Sequence, residues 1–114
     1  MLKIGAIVWG VRDLNQAINF WSEALNYKLK REPDVDFAIL IPKEGEGIQL
    51  SLNAAVTSIK PKRHHIDLFT HDQANEVERL LRLGATRVDW KYEQEADYVV
   101  LSDQDGNTFC VVQA

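Results

Sequence analysis

Only one cysteine, Cys110, is present. No disulfide can therefore form within the chain, which fits a reducing compartment. There is no excess of positive charge. Thirteen Lys and Arg stand against 17 Asp and Glu, for a formal net charge of −4. A general nucleic-acid binder carries a basic face, and this balance argues against one. No run of about 18 apolar residues exists, so no transmembrane helix is expected. Met1-Leu2-Lys3-Ile4 leads straight into a strand-like stretch and lacks the apolar core of a signal peptide. These absences give the expectation of a cytoplasmic protein that engages neither nucleic acid nor membrane. They leave a small molecule, cationic or neutral, as its ligand. With 46% hydrophobic residues in 114, one compact domain can bury a core.

The chain repeats itself. Ala6-Ile7-Val8-Trp9-Gly10-Val11-Arg12-Asp13 opens the first half, and His65-Ile66-Asp67-Leu68-Phe69-Thr70-His71-Asp72 opens the second. In both, a strand-like run ends on an Asp that starts an amphipathic helix. Each helix stops at a residue tolerant of left-handed backbone, Asn26 or Gly84. A repeat of this length predicts two copies of one supersecondary unit about a pseudo-twofold, with a cleft between them as the place for a ligand.

In detail, Leu2–Val11 reads as a strand. Asp13 caps a helix with Gln16 in the capping-box position, and Leu14, Ala17, Ile18, Trp21, Ala24 and Leu25 form its apolar stripe. Strands are expected at Tyr27–Arg31, Phe37–Ile41 and Ile48–Leu52. Residues 54–63 show no periodicity and read as a linker, with Lys60-Pro61-Lys62-Arg63 a solvated turn. The second half follows with a strand at His64–Thr70. Its helix carries Ala74, Val77, Leu80 and Leu81, supported by a Glu78–Arg82 pair. Strands at Ala85–Trp90, Tyr98–Leu101 and Thr108–Val112 complete it. The expected fold class is α+β: one domain over 1–114, with module 1 at 1–53, the linker at 54–63 and module 2 at 64–114. Each module has the order βαβββ. A ferredoxin-like dimer is the alternative, and the three strands after each helix weigh against it.

This order, with Val11-Arg12-Asp13, Phe20-Trp21, Leu25-Asn26, His65-Ile66-Asp67-Leu68, Leu83-Gly84-Ala85 and the closing Leu101-to-Cys110 segment, resembles the vicinal oxygen chelate superfamily. That group includes glyoxalase I, bleomycin-resistance proteins and extradiol dioxygenases. The ending Gly106-Asn107-Thr108-Phe109-Cys110 looks most like its glyoxalase-like single-domain subgroup. The resemblance implies two βαβββ modules, curved mixed sheets enclosing a cavity, and a homodimer. It does not imply one reaction, so function must be argued from the site.

The resemblance also implies a divalent metal held by His, Gln or Glu from the first, fourth, fifth and eighth strands. Here the first-strand position is Ala6, which has no donor. The fourth falls on Gln49, or on Ser51 after a slip; the fifth is His65; the last is Cys110. A set missing one arm holds no hard ion tightly, so no metal or other cofactor is expected. Were zinc, nickel, manganese or iron to bind, its ligands would be His65, Gln49 and Cys110.

His65, Asp67 and Phe69 share one strand face, because side chains alternate with period two. A carboxylate there needs a partner if the face lines a cavity. Cys110 reads as a small buried hydrophobe unless a nearby base activates it. Trp9 and Trp21 read as core, with Trp9 facing the helix. Trp90 and Tyr92 sit where packing does not need them; they either close over a planar ligand or pack at a dimer interface. The expected function is small-molecule binding without a metal, for sequestration or sensing. Gln49, Ser51, His65, Asp67 and Cys110 supply polar contacts, and Phe69, Trp90 and Tyr92 supply walls. The alternative is a lyase or isomerase in which His65, tuned by Asp67, is the general base or a metal ligand.

Overall fold

The computed structural model describes residues 1–54, 64–104 and 106–114. The expected linker, Ala54 apart, lies outside the described residues. The chain is α+β and contains two βαβββ runs. It divides into two compact units: Ala6–His64, here the N-terminal unit, and His65–Ala114 with Met1–Gly5, the C-terminal unit.

The N-terminal unit is built from β1 (Lys3–Gly10, entering it at Ala6), α1 (Leu14–Leu25), β2 (Tyr27–Leu29), β3 (Phe37–Pro42) and β4 (Gln49–Asn53). Its strands lie in the order β2-β3-β4-β1. β4 and β1 run parallel, and the other pairs are antiparallel. α1 starts where the sequence says it should. Asp13 has extended backbone, and its carboxylate accepts from the Gln16 N–H at 3.0 Å, satisfying one of the orphan donors of the first turn. It ends at Asn26, in the left-handed region at φ 58°. The stripe of α1 packs on the β-sheet face carrying Ile7, Trp9, Ala38, Leu40, Leu50 and Leu52. Leu40 and Leu52 are fully buried, each worth about 1.5–3 kcal/mol of transfer free energy. Trp9 faces α1 as expected and meets Trp21 edge-on at 6.5 Å.

The C-terminal unit holds β5 (His65–Thr70), α2 (Gln73–Leu83), β6 (Thr86–Arg87), β7 (Tyr98–Ser102) and β8 (Thr108–Gln113), in the strand order β5-β8-β7-β6. Again the opening strand and the closing strand, β5 and β8, run parallel. α2 covers Leu101 and Val111 through Val77, Leu80 and Leu81. Gly84 ends it at φ 118°, where an added Cβ would also lie 2.5 Å from the Gln104 side chain.

Two local expectations are corrected. The strand expected over Ala85–Trp90 pairs only at Thr86 and Arg87. Val88 still donates to the Val100 carbonyl at 3.2 Å, but Asp89 and Trp90 are exposed and the edge frays there. The expected Glu78–Arg82 pair is replaced: Glu78 instead meets Arg87 at 3.6 Å, and the helical pair is Arg79 with Glu76 at 2.7 Å. A residue across the chain turn outcompetes one on the same exposed face, where such pairs are weak. Among the described residues, no helix is long and apolar enough to cross a membrane.

Candidate functional site

In each unit one sheet face is taken by the helix, which leaves the chemistry to the other. In the N-terminal unit that helix-free face carries Ala6 beside Gln49 and Val8 beside Ser51. It is mostly apolar: Ala6, Val8 and Ile39 are 0%, 4% and 7% exposed, and Ser51 and Gln49 are its polar members. Gln49 is half-buried, and its amide oxygen accepts from the Lys30 ammonium at 3.4 Å.

The helix-free face of the C-terminal unit is different. Parallel pairing of β5 with β8 puts Asp67 directly beside Cys110, and antiparallel pairing of β8 with β7 sets Val100 on the far side of Cys110. The next rung is Phe69–Val112–Tyr98. Phe69 is wedged over Gly5, where a Cβ would stand 2.3 Å from the ring, so only glycine fits. His65 is two residues upstream on β5, hence on the same face, and its Nε2 lies 3.4 Å from Asp67 Oδ1. The donor atoms of His65, Asp67 and Cys110 all lie within 4.8 Å of one another, and all three residues are half-buried.

Protonation follows from this packing. Burial, then the Asp67 charge, then a hydrogen bond to Asp67 and lastly the Asp97 charge push the Cys110 thiol up to about 12. It is a neutral S–H at physiological pH, donating to Asp67. A thiol in that state is no nucleophile. Asp67 thus has a neutral thiol on one side and an imidazole on the other.

The structure therefore brings together three of the residues singled out in the sequence, His65, Asp67 and Cys110, with Phe69 on the adjoining rung. It also decides the register left open at the fourth strand. Val8–Ser51 and Asp67–Cys110 are corresponding rungs, each the same distance before its helix-capping Asp. Ser51, not Gln49, is thus the counterpart of Cys110. The donor beside His65 and Cys110 is Asp67, which is not among the metal positions that the resemblance implies. Ala6 and Val8 bring no donor at all. The residues present do not fit the four-strand chelate.

Trp90 is 49% exposed. Tyr92 is tied to the sheet: its hydroxyl accepts from the Val100 N–H at 2.8 Å, and its ring leans on Tyr98 at 5.6 Å. Sequence reading missed His64. Its ring stacks flat on Trp9, centroids 3.8 Å apart and 8° from parallel, and its Nδ1 accepts from the Gly10 N–H at 3.1 Å. No periodicity marks such a contact, which joins residues far apart in the chain; the sequence reading placed His64 in the strand that in fact begins at His65. Concavities of about 410 Å³ along Gly10–Asp13 and α1, and about 380 Å³ between Arg87 and the Tyr92–Val99 stretch, are lined by neither His65, Asp67 nor Cys110. The charged groups lining those hollows are exposed and solvated, whereas His65, Asp67 and Cys110 are half-buried.

Residues 6–112 match the family described as the glyoxalase-like domain. Comparison with curated proteins finds no match. Among solved structures, a glyoxalase/bleomycin resistance protein/dioxygenase superfamily member from Vibrio splendidus 12B01 superposes with a TM-score of 0.67 at 15% identity, covering 100% of both chains. A hypothetical protein from Bacillus halodurans C-125 gives 0.69 at 15%, covering 97% of this chain and 93% of that one. Methylmalonyl-CoA epimerase from Streptomyces coelicolor, in complex with 2-nitronate-propionyl-CoA, gives 0.69 at 15%, covering 96% and 95%. At such identities the likeness is one of fold. The chain belongs to the glyoxalase-like domain family.

Proposed function

We propose that this glyoxalase-like domain protein binds a small organic molecule on the helix-free face of its C-terminal unit, and that it does so without the four-strand metal chelate. The observation that carries this reading is the half-buried Asp67 carboxylate, flanked by His65 at 3.4 Å and by the neutral Cys110 thiol. A partly desolvated charge of this kind is stabilised by a ligand that donates hydrogen bonds or carries positive charge. Phe69 and Tyr98 on the next rung offer ring surface to its apolar part. Sequestration or sensing of the ligand, by a homodimer in the cytoplasm, completes the proposal.

The test is a thermal-shift screen of cationic drugs and metabolites, with acyl-CoA thioesters included, against the wild type and Asp67→Asn. A ligand at about 100 times its Kd stabilises by about 2.7 kcal/mol. The expected result is a stabilising compound whose effect is lost in Asp67→Asn. Stabilisation that ignores this substitution moves the site elsewhere and overturns the reading.

The His65–Asp67 contact also supports a second reading, in which His65 is a general base oriented by Asp67 for isomerase or lyase chemistry. His65→Gln separates the two. It abolishes turnover of a substrate under the second reading and only weakens binding under the first.

A further inference from the structure

We infer that the hollow where β1 hands over to α1 is a second ligand site, which takes an aromatic α-amino acid in its zwitterionic form. This goes beyond the ligand proposed above and does not rest on it. The hollow belongs to the N-terminal unit and shares no residue with the His65–Asp67–Cys110 face.

The argument starts from ring surface. The hollow holds about 410 Å³ and is lined by Arg12, Asp13, Gln16, Ala17, Phe20 and Trp21, together with the end of β1. That volume falls within the roughly 300–1,000 Å³ of small-molecule sites. Phe20 is 61% exposed and is not part of the apolar core under α1. Its ring meets Trp21 edge-on, centroids 5.0 Å apart and planes at 89°. Two rings at right angles form a corner, and aromatic groups prefer offset-stacked and edge-to-face neighbours of that kind. Trp21 is the fixed wall. It is half-buried against the core and meets Trp9 at 6.5 Å, and Trp9 is in turn covered by the His64 ring.

The charges narrow the class of aromatic ligand. Arg12 and Asp13 are consecutive, exposed and opposite in sign. Among the described residues Arg12 has no ion-pair partner, so its guanidinium is open to a carboxylate. Asp13 spends Oδ1 on the Gln16 N–H, which leaves Oδ2 for an ammonium. An α-amino acid carries both charges on one carbon. A simple aromatic acid would meet Asp13 as a like charge, and a simple aromatic amine would meet Arg12 as one. Because both groups are solvated, they supply selectivity, and the rings supply most of the affinity. The backbone is set in advance. Val11 donates to the Asn53 carbonyl at 3.0 Å, Gly10 to His64 Nδ1 at 3.1 Å and Ala17 to the Asp13 carbonyl at 3.0 Å, so binding requires little further ordering.

The test titrates the full chain with L-phenylalanine, followed by calorimetry and by tryptophan emission excited where the probe does not absorb. The expected result is one equivalent bound, with an emission change that persists in Trp90→Phe, since Trp90 lies in the other unit. L-Leucine lacks the ring, L-phenylalaninamide the carboxylate and N-acetyl-L-phenylalanine the ammonium. Each should bind more weakly by roughly fivefold or more. Phe20→Ala and Arg12→Gln should weaken L-phenylalanine by a similar factor, and both replace exposed side chains that the fold does not need. Asp67→Asn should bind it as the wild type does. No saturable response to L-phenylalanine overturns the inference. So does equal affinity for L-phenylalanine and its amide, or wild-type affinity in Phe20→Ala. A loss in Asp67→Asn overturns it as well, by moving the amino acid to the C-terminal face. The ligand proposed above keeps its own screen in every case.

Discussion

Val8 and Ser51 in the N-terminal unit stand where Asp67 and Cys110 stand in the C-terminal unit. The two units have the same element order, the same parallel pairing of first and last strands, and the same use of one sheet face for the helix. On the other face they part. One is mostly apolar, with the neutral Gln49 and Ser51 as its polar members; the other holds an imidazole, a carboxylate and a thiol in mutual reach. The comparison shows that the βαβββ frame needs only an alternation of faces, and that the helix-free face is available for other use. Family membership fixes the frame, and function has to be argued from the residues it presents.

The largest effect comes from exchanging the two rungs. Val8 is 4% exposed, with no charged partner on its rung. Val8→Asp therefore buries an unpaired charge and is expected to destabilise by about 3–5 kcal/mol. The reverse change, Asp67→Val, removes a charge from a side chain that is 20% exposed and leaves two groups that water can satisfy. It is expected to shift stability by no more than about 1 kcal/mol in either direction. Urea midpoints of the two variants make the check. Equal losses would mean that the charged rung is as deeply structural as the apolar one.

The next effect sharpens what sets the C-terminal rung apart. With the thiol pushed from 9.0 to about 12, alkylation of Cys110 by iodoacetamide at pH 8 should run roughly a thousandfold slower than that of an ordinary thiol. Asp67→Asn removes one of the causes and should speed it. The same shift has a sign for stability. The folded state holds the proton more tightly than the unfolded chain, so this contribution is fully present below pH 9 and is lost as pH rises from 9 toward 12. In Cys110→Ala that part of the alkaline loss disappears. A fast-reacting thiol at pH 8 would contradict the buried, carboxylate-bonded state described for it.

Much of this was legible in the sequence, for identifiable reasons. Asp13 and Gln16, Asn26, and Gly84 mark helix ends because each satisfies a local backbone demand. The shared face of His65, Asp67 and Phe69 follows from period two alone. The partnership of Asp67 with Cys110 was not legible, because it depends on the register between strands far apart in the chain. The choice between Gln49 and Ser51 waited on the same information. The short β6 and the Glu78–Arg87 pair were missed because exposed edges and surface charges are decided by weak, competing contacts. Tyr92 looked free for a ligand, since a tyrosine in a charged loop gives no sign of the Val100 amide it reaches.

The smallest effect concerns the two helix starts, which look identical in sequence and are not. Asp13 caps α1 directly, accepting from the Gln16 N–H. Asp72 makes no such bond; its carboxylate accepts from the Asn75 side chain instead. The first N–H of α2 is taken by a distant residue: Gln73 donates to the Gln113 amide oxygen at 2.9 Å, while the Gln113 amide nitrogen donates to the His71 carbonyl at 2.8 Å. The C-terminal unit thus uses the end of β8 for a task that the N-terminal unit performs with one local side chain. Asp13→Ala should cost about 1 kcal/mol, and Asp72→Ala only a few tenths. The missing cost should reappear, at about 1 kcal/mol, in Gln113→Ala. Equal losses for Asp13→Ala and Asp72→Ala, with none for Gln113→Ala, would restore the symmetry that the sequence suggests and place the cap of α2 back on its own aspartate.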